Sequence, residues 1–240
     1  MTTYDPRAYP PVAVTADIVV LTIREGVLSV LLIERGVEPF GGQLALPGGF
    51  VQPQESVDQA AVRELKEETD LDLDAIHLEQ IGVFSDPARD PRMRVITVAY
   101  LGFMPNLPLP RAGTDAAVAS WVPAHKALAD EAPLAFDHEL ILQKALHVAS
   151  SRLEDTTLAT AFCGPEFTLR ELRRVYEAVW GVRLDSRNFY RKVLGTKNFL
   201  IPTGARTTRD GGRPALLYTA GAAGSISPPL NRPESPSTDH

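Results

Sequence analysis

An α+β chain of two domains is predicted: a larger one over residues 10–153, and a smaller one over residues 154–219 built from two helices and a β-hairpin. Three observations predict it. Strand and helix signals alternate through the first half. Residues 168–194 hold two short amphipathic helices, and a basic, glycine-rich segment follows them. Charge is also divided unevenly. Residues 1–166 carry 12 Lys and Arg against 24 Asp and Glu, whereas residues 167–217 carry 11 against 4. The net charge of −6 therefore conceals a basic back end, the balance expected of a module that meets nucleic acid.

Residues 12–23 and 27–34 are apolar, β-branched runs joined by a short turn at Arg24-Glu25-Gly26, so they read as a hairpin. Residues 41–50 are glycine-rich. Residues 55–68 read as a helix, with Val57, Ala60, Ala61 and Leu65 spaced three to four apart. Strands follow at 78–84 and 93–103, then a proline-rich loop at 105–114 and a short strand at 118–123. Residues 138–153 form a helix with Ile141, Leu142, Ala145, Leu146 and Ala149 on one face, and 154–165 is a connection. The helix at 168–180 opens on a Thr168/Glu171 capping box and stops at Gly181. A further helix spans 185–194, and short strands at 199–201 and 216–218 flank a basic turn. From Ala220 the chain is Gly, Ala, Ser and Pro with few hydrophobes, a composition that predicts disorder over 220–240.

Several classes are excluded at this level. The single cysteine, Cys163, permits no internal disulfide and reads as a small packed hydrophobe, which fits a reducing cytoplasm. No Cys/His cluster points to zinc. The N-terminus lacks the charged and apolar regions of a signal peptide. The apolar run at 12–23 is interrupted by Thr15, Asp17 and Thr22 and is too short and too polar to span a membrane.

The sharpest pattern runs from Gly49 to Leu71. Glu64 and Glu68 are four apart on a helix and share a face, with Glu67 beside them. Like charges at that spacing destabilise a helix by about 0.2–0.5 kcal/mol per pair. One reading is a solvated acidic face. The other is a seat for Mg²⁺, which prefers oxygen ligands and keeps several waters and substrate phosphates. Arg63, four before Glu67, can fix that carboxylate, and the Pro47-Gly48-Gly49 turn lets backbone approach a ligand closely, so Gly48 and Gly49 are candidate ligand-binding residues.

The spacing of Gly49, Glu55, Arg63, Glu64, Glu67 and Glu68 resembles the Nudix box, the signature of hydrolases that cleave nucleoside diphosphates linked to another group. The resemblance implies a Nudix-type mixed sheet between helices over roughly residues 10–150. It implies metal roles for Glu64 and Glu68, with Glu67 and Glu68 as the catalytic or vestigial pair. The family has glycine where this chain has Asp70. Asp adopts the left-handed geometry there at some cost, and its charge opposes the negative end of the helix by about 0.3–1 kcal/mol. The sequence therefore leans towards sensing a nucleotide rather than hydrolysing one.

Between two predicted strands lies Ser85-Asp86-Pro87-Ala88-Arg89-Asp90-Pro91-Arg92. Arg89 and Arg92, with Arg94, can clamp phosphates bidentately, or the segment is an exposed loop of local Asp–Arg pairs. The segment is similar to one in ADP-ribose-handling Nudix proteins.

In the basic module, the helix at 185–192 displays Ser186, Arg187, Asn188, Arg191 and Lys192, while Phe189 and Val193 can anchor it. Arg and Asn suit guanine and adenine edges in the major groove, and Lys and Ser suit phosphates. Arg206, Thr208 and Arg209 on the glycine-rich hairpin suit a wing that reaches backbone phosphates or a minor groove. The order helix, turn, helix, basic hairpin is that of a winged helix-turn-helix domain. Over residues 10–219 the chain resembles the NrtR family, Nudix-related transcriptional regulators of NAD metabolism. Residues 167–172, 175–177 and 187–192 carry the resemblance together with the box. It implies a dimer on double-stranded operator DNA of NAD-synthesis or salvage genes, released by ADP-ribose or a related nucleotide. The alternative from the retained glutamates is a Mg-dependent ADP-ribose or nucleoside-diphosphate pyrophosphatase.

Overall fold

The computed structural model describes residues 5, 9–69, 78–103, 116–129, 133–209 and 213–233. Strands β1 (Ala13–Arg24) and β2 (Val27–Arg35) form the predicted hairpin. Its turn places Glu25 and Gly26 at φ 51° and 80°, the primed geometry that matches strand twist. β3 (Leu44–Ala45) and β4 (Gly48–Phe50) lead to helix α1 (Val57–Thr69); β5 (Leu78–Phe84), β6 (Val95–Phe103) and β7 (Ala116–Pro123) follow. The sheet runs in the order β3-β2-β1-β6-β5, with β4 also paired to β1 and β7 to β2. β1 and β2 bury successive residues rather than alternate ones, so both faces of the sheet's centre are covered.

Helix α1 starts later than the predicted 55. Ser56 and Gln59 form a reciprocal cap: the Gln59 amide donates to Ser56 Oγ at 3.2 Å and the Ser56 amide to Gln59 Oε1 at 2.8 Å. Glu55 is thereby left outside the helix and turned towards Arg63. Asp70 and the loop at 105–114 lie outside the described residues.

A four-residue α2 (Ala124–Ala127) precedes α3 (His138–Asp155), and a 3₁₀ helix, Leu158–Phe162, occupies part of the predicted connection. The chain divides into two compact units. The first comprises Met1–Val20, Leu31–Gly102 and Leu109–Leu142, the second Leu21–Val30, Phe103–Pro108 and Gln143–His240. The second unit takes up α3 from Gln143 onward and also part of the β1–β2 hairpin.

In the second unit, α4 (Leu169–Trp180) is capped as predicted by Thr168 and Glu171 and ends on Gly181 at φ 68°. Leu172, Val175, Tyr176 and Trp180 are buried along one side of it. The Tyr176 ring stands edge-on to Phe189 with centroids 5.1 Å apart, which seats α5 (Ser186–Gly195) against α4. β8 (Leu200–Thr207) and β9 (Ala215–Ala220) pair as a hairpin longer than the predicted strands. Its register breaks between Pro202 and Arg206, where Gly204 takes φ 81°.

The predicted disorder from Ala220 is corrected for residues 220–233. Ile226 and Leu230 are 2% and 3% exposed, and their amides donate to the Asp155 and Glu154 carbonyls at 2.7 Å. Those carbonyls belong to the last turn of α3 and lack partners within the helix. Composition alone missed two hydrophobes four apart that close a helix end.

Candidate functional site

The first unit holds a cavity of about 470 Å³, walled by the Gly48-Gly49 turn, α1, the loop after β5 and the start of α3. Arg63 organises its acidic side. The guanidinium donates to Glu55 at 2.6 Å, Glu64 at 2.8 Å, Glu67 at 3.0 Å and the Phe50 carbonyl at 3.1 Å. The hydrogen bond to Glu55 is the main reason that Arg63 holds its proton more tightly than usual. Glu67 is half exposed, whereas Glu64 and Glu68 face inward. Burial raises the Glu64 carboxyl. Burial, with Glu64 nearby, pushes Glu68 up to about 8 even though it accepts the Gly48 amide at 2.8 Å.

The glycines serve the protein's own packing. A Cβ on Gly49 would overlap the Glu64 carboxylate, and one on Gly48, at φ 155°, would overlap the Ala16 carbonyl. The groups that approach these glycines are β1 and α1, and the Gly48 amide donates to Glu68.

Arg89 and Arg92 have partners within the protein. Arg89 is 7% exposed; it donates Nε and Nη2 to Asp137 at 3.0 and 2.7 Å and Nη2 to Asp17 at 3.1 Å. Its guanidinium is tied into an internal network that links the loop, β1 and the residue before α3, and the side chain also lines the cavity. His138 completes the network: Nδ1 accepts the Leu46 amide at 2.9 Å, and Nε2 lies 3.7 Å from Asp17. Burial lowers the His138 pKa, so the ring is neutral and fixes the strand before the glycine turn. Arg92 forks onto Asp90 at 3.0 and 2.7 Å, but keeps its guanidinium 5.4 Å from the Phe50 ring centre and 5.6 Å from that of Phe136, at the cavity mouth. Arg35, which sequence reasoning passed over, lies 4.7 Å over Phe136 and lines the same cavity. One wall is therefore carboxylate and another guanidinium and aromatic, a division that suits a nucleotide diphosphate.

Among the described residues no three His, Cys, Asp or Glu side chains converge to hold a metal ion. Glu64 and Glu68 nonetheless fit Mg²⁺. They are two carboxylates in one cavity, each raised by burial, and Mg²⁺ is bound through one or two carboxylates plus substrate phosphates.

In the second unit, Asp185 caps α5 by accepting the Asn188 amide at 2.8 Å. Phe189 and Val193 are buried, and Arg187, Asn188, Arg191 and Lys192 are exposed on the other side; Ser186 is half-buried. Arg206 and Thr208 are exposed on and beside β8. Arg209 is bound to Glu171.

Comparison with known proteins follows this division. The NUDIX domain model matches residues 12–144, and the NrtR DNA-binding winged helix domain model matches residues 160–220. The chain is 31% identical over 217 residues, 90% of its length and 84% of the relative's, to the ADPR responsive transcriptional repressor NtrR of Acinetobacter baylyi. The chain belongs to the NrtR family. NrtR of Shewanella oneidensis, solved with a 27mer DNA, superposes with TM-score 0.76 at 30% identity, covering 91% of this chain and 99% of that one. Its NUDIX domain, solved with ADP ribose, gives TM-score 0.55 at 32% identity over 61% of this chain and 94% of that one. An ADP-ribose pyrophosphatase of Methanocaldococcus jannaschii is 44% identical over 114 residues, 48% of this chain and 63% of that protein. The resemblance read from the box and the basic module is thus the family, and the α+β architecture with an appended winged helix is NrtR's. No described helix is long and apolar enough to cross a membrane.

The Glu68 carboxyl gives this NrtR family member a pH signature. Its folded pKa, about 8, lies above the ordinary carboxylate value of 4.5. Between those values the folded protein keeps a proton that the unfolded chain has released, so stability falls as pH rises through that window. Glu68→Gln keeps the shape without ionising. The variant's denaturation midpoint is expected to change less than the wild type's between about pH 5 and about pH 8. Parallel curves for the two proteins would show that Glu68 titrates normally.

Proposed function

We propose that this chain is a ligand-responsive repressor of NAD-synthesis or salvage genes. It binds operator DNA as a dimer through α5 and the β8–β9 wing, and ADP-ribose or a nucleotide of like chemistry in the first unit's cavity releases it. The observation that carries the reading is the joining, in one chain, of a cavity polarised between carboxylates and guanidiniums with a capped helix exposing Arg187, Asn188, Arg191 and Lys192. The diphosphate would face Arg35 and Arg92, while Phe50 and Phe136 offer aromatic faces to a base. Glu64 and Glu68 would hold Mg²⁺, which supplies positive charge for the phosphate oxygens. Release requires that the nucleotide bind the DNA-free conformation more tightly than the DNA-bound one.

The test is an anisotropy titration on duplexes retained from a randomised DNA pool, at stated salt, with and without ADP-ribose. Tight, sequence-specific binding that ADP-ribose weakens is the expected result. Weak, salt-sensitive binding to all duplexes alike overturns the reading.

A second reading, hydrolysis of the same ligand, is favoured by the presence of Glu64, Glu67 and Glu68 together at the cavity. Hydrolysis would form a bond from water oxygen to phosphorus and break the bridging P–O bond of the diphosphate. Turnover of ADP-ribose with Mg²⁺, lost in Glu68→Gln, would support it; an unchanged ADP-ribose pool would dismiss it for this substrate.

A further inference from the structure

Hydrogen bonds tie the wing to the start of α4 at two levels, one near its base and one at its turn. Phe167, just before α4, exchanges backbone hydrogen bonds with Tyr218 of β9, at 2.9 and 2.8 Å. Arg209, two residues beyond β8 in the segment that joins it to β9, reaches the same stretch. Its Nε donates to Glu171 Oε1 at 2.8 Å, and its Nη2 donates to Glu171 Oε2 at 2.6 Å and to the Glu166 carbonyl at 2.9 Å. Both prongs of the fork meet one carboxylate, the arrangement that fixes direction as well as distance.

Glu171 is itself immobilised. Its Oε2 accepts the Thr168 amide at 2.7 Å as half of the capping box of α4. Arg209 lowers the Glu171 carboxyl, so the pair stays charged. Between these two levels, the hairpin register breaks between Pro202 and Arg206, around Gly204. A two-stranded arm with such a break has little internal stiffness, so the direction of its outer part depends on how its turn is held.

We infer that Arg209 and Glu171 form a latch that aims the wing, making Arg209 a positioning residue and leaving the phosphate contact to Arg206. The inference rests on the DNA-binding reading above. It differs from a direct Arg209–phosphate contact in sign. If Arg209 met a phosphate, Glu171 would compete with DNA for it, and removing the Glu171 charge would tighten binding. With a latch, removing that charge loosens the wing and weakens binding. The pair is partly exposed, at 45% and 28% for the two side chains, and such pairs contribute little to global stability. Its loss is therefore to be sought in wing behaviour rather than in melting.

The experiment uses the full chain as wild type, Glu171→Gln, Arg209→Lys, the double variant and Arg206→Gln. Gln preserves the capping box while discarding the charge. Lys preserves the charge while discarding the fork. On the duplex best retained from the randomised pool, Glu171→Gln and Arg209→Lys are each expected to weaken binding roughly three- to tenfold, since an ordering cost moves into the binding step. The double variant is expected to be no weaker than either single, because one interaction is lost in all three. The slope of log affinity against log salt stays unchanged in these variants and falls by about one in Arg206→Gln. Amide exchange of the DNA-free proteins is the companion measurement: β8 and β9 amides exchange faster in Glu171→Gln and Arg209→Lys than in wild type. Tighter binding by Glu171→Gln, or wild-type binding by Arg209→Lys, overturns the latch and leaves the DNA-binding function standing. If wild type retains no duplex, the DNA reading fails by itself. Equal exchange in all variants then still overturns the latch, and faster exchange still supports it.

Discussion

Replacing Arg89 by alanine is expected to destabilise the first unit by about 3–5 kcal/mol, the cost of leaving buried charge uncompensated. The Arg89 side chain is 4% exposed, and its two partners, Asp17 and Asp137, are 8% and 13% exposed. Removing the cation leaves two largely buried carboxylates together without the guanidinium that both accept from. Asp17 lies in β1 next to Ile18 and Val19, both fully buried, so the strand cannot turn it outward without losing its core. The melting temperature should fall on the order of 10 °C. Nucleotide binding should be lost as well, because His138 and the glycine turn are ordered through the same network. The combined variant Arg89→Met, Asp17→Asn, Asp137→Asn removes charge and partner together and should recover much of the stability. A loss below about 1 kcal/mol in Arg89→Ala would show that the network is solvated and the arginine available to ligand after all.

That network marks where sequence reading ran out. Glu64, Glu67 and Glu68 were legible because helical periodicity places them on one side, and Gly49 because its spacing from them matches the box; the structure adds that a side chain there would overlap the Glu64 carboxylate. Asp17, Arg89 and Asp137 are brought together only by the fold: 72 and 48 residues of chain separate Arg89 from its two partners. The loop after β5 reads the same whether its arginines meet a ligand or a buried carboxylate. One signal was present. Asp17 interrupts an apolar strand, and a charge in such a position needs a partner. In the second unit the Thr168–Glu171 cap and the Phe189–Val193 anchor were legible because both are local. The Arg209–Glu171 pair was not, since it joins a hairpin to a helix 38 residues earlier. Ile226 and Leu230 were hidden by the small and proline-rich residues around them.

The double substitution Arg187→Ala, Arg191→Ala is expected to cost roughly thirtyfold to twenty-thousandfold in affinity for the selected duplex. That range follows from about 1–3 kcal/mol for each arginine that reads a base edge. The two side chains are one helical turn apart on α5, exposed, and opposite Phe189 and Val193, which hold the helix to the rest of its unit. Arg191 also sits 3.4 Å from Asn188 Oδ1, so its loss frees rather than orphans that amide. Because both arginines are exposed, melting should be unchanged, and the cavity in the first unit should bind ADP-ribose as before. The informative quantity is the ratio of selected to random duplex affinity. If the arginines read bases, that ratio collapses towards one while residual, salt-dependent binding persists through Lys192 and Arg206. If they only neutralise phosphate, both affinities fall together and the ratio survives. A variant that binds the selected duplex as tightly as wild type would remove α5 as the reading element and leave the wing as the principal DNA contact.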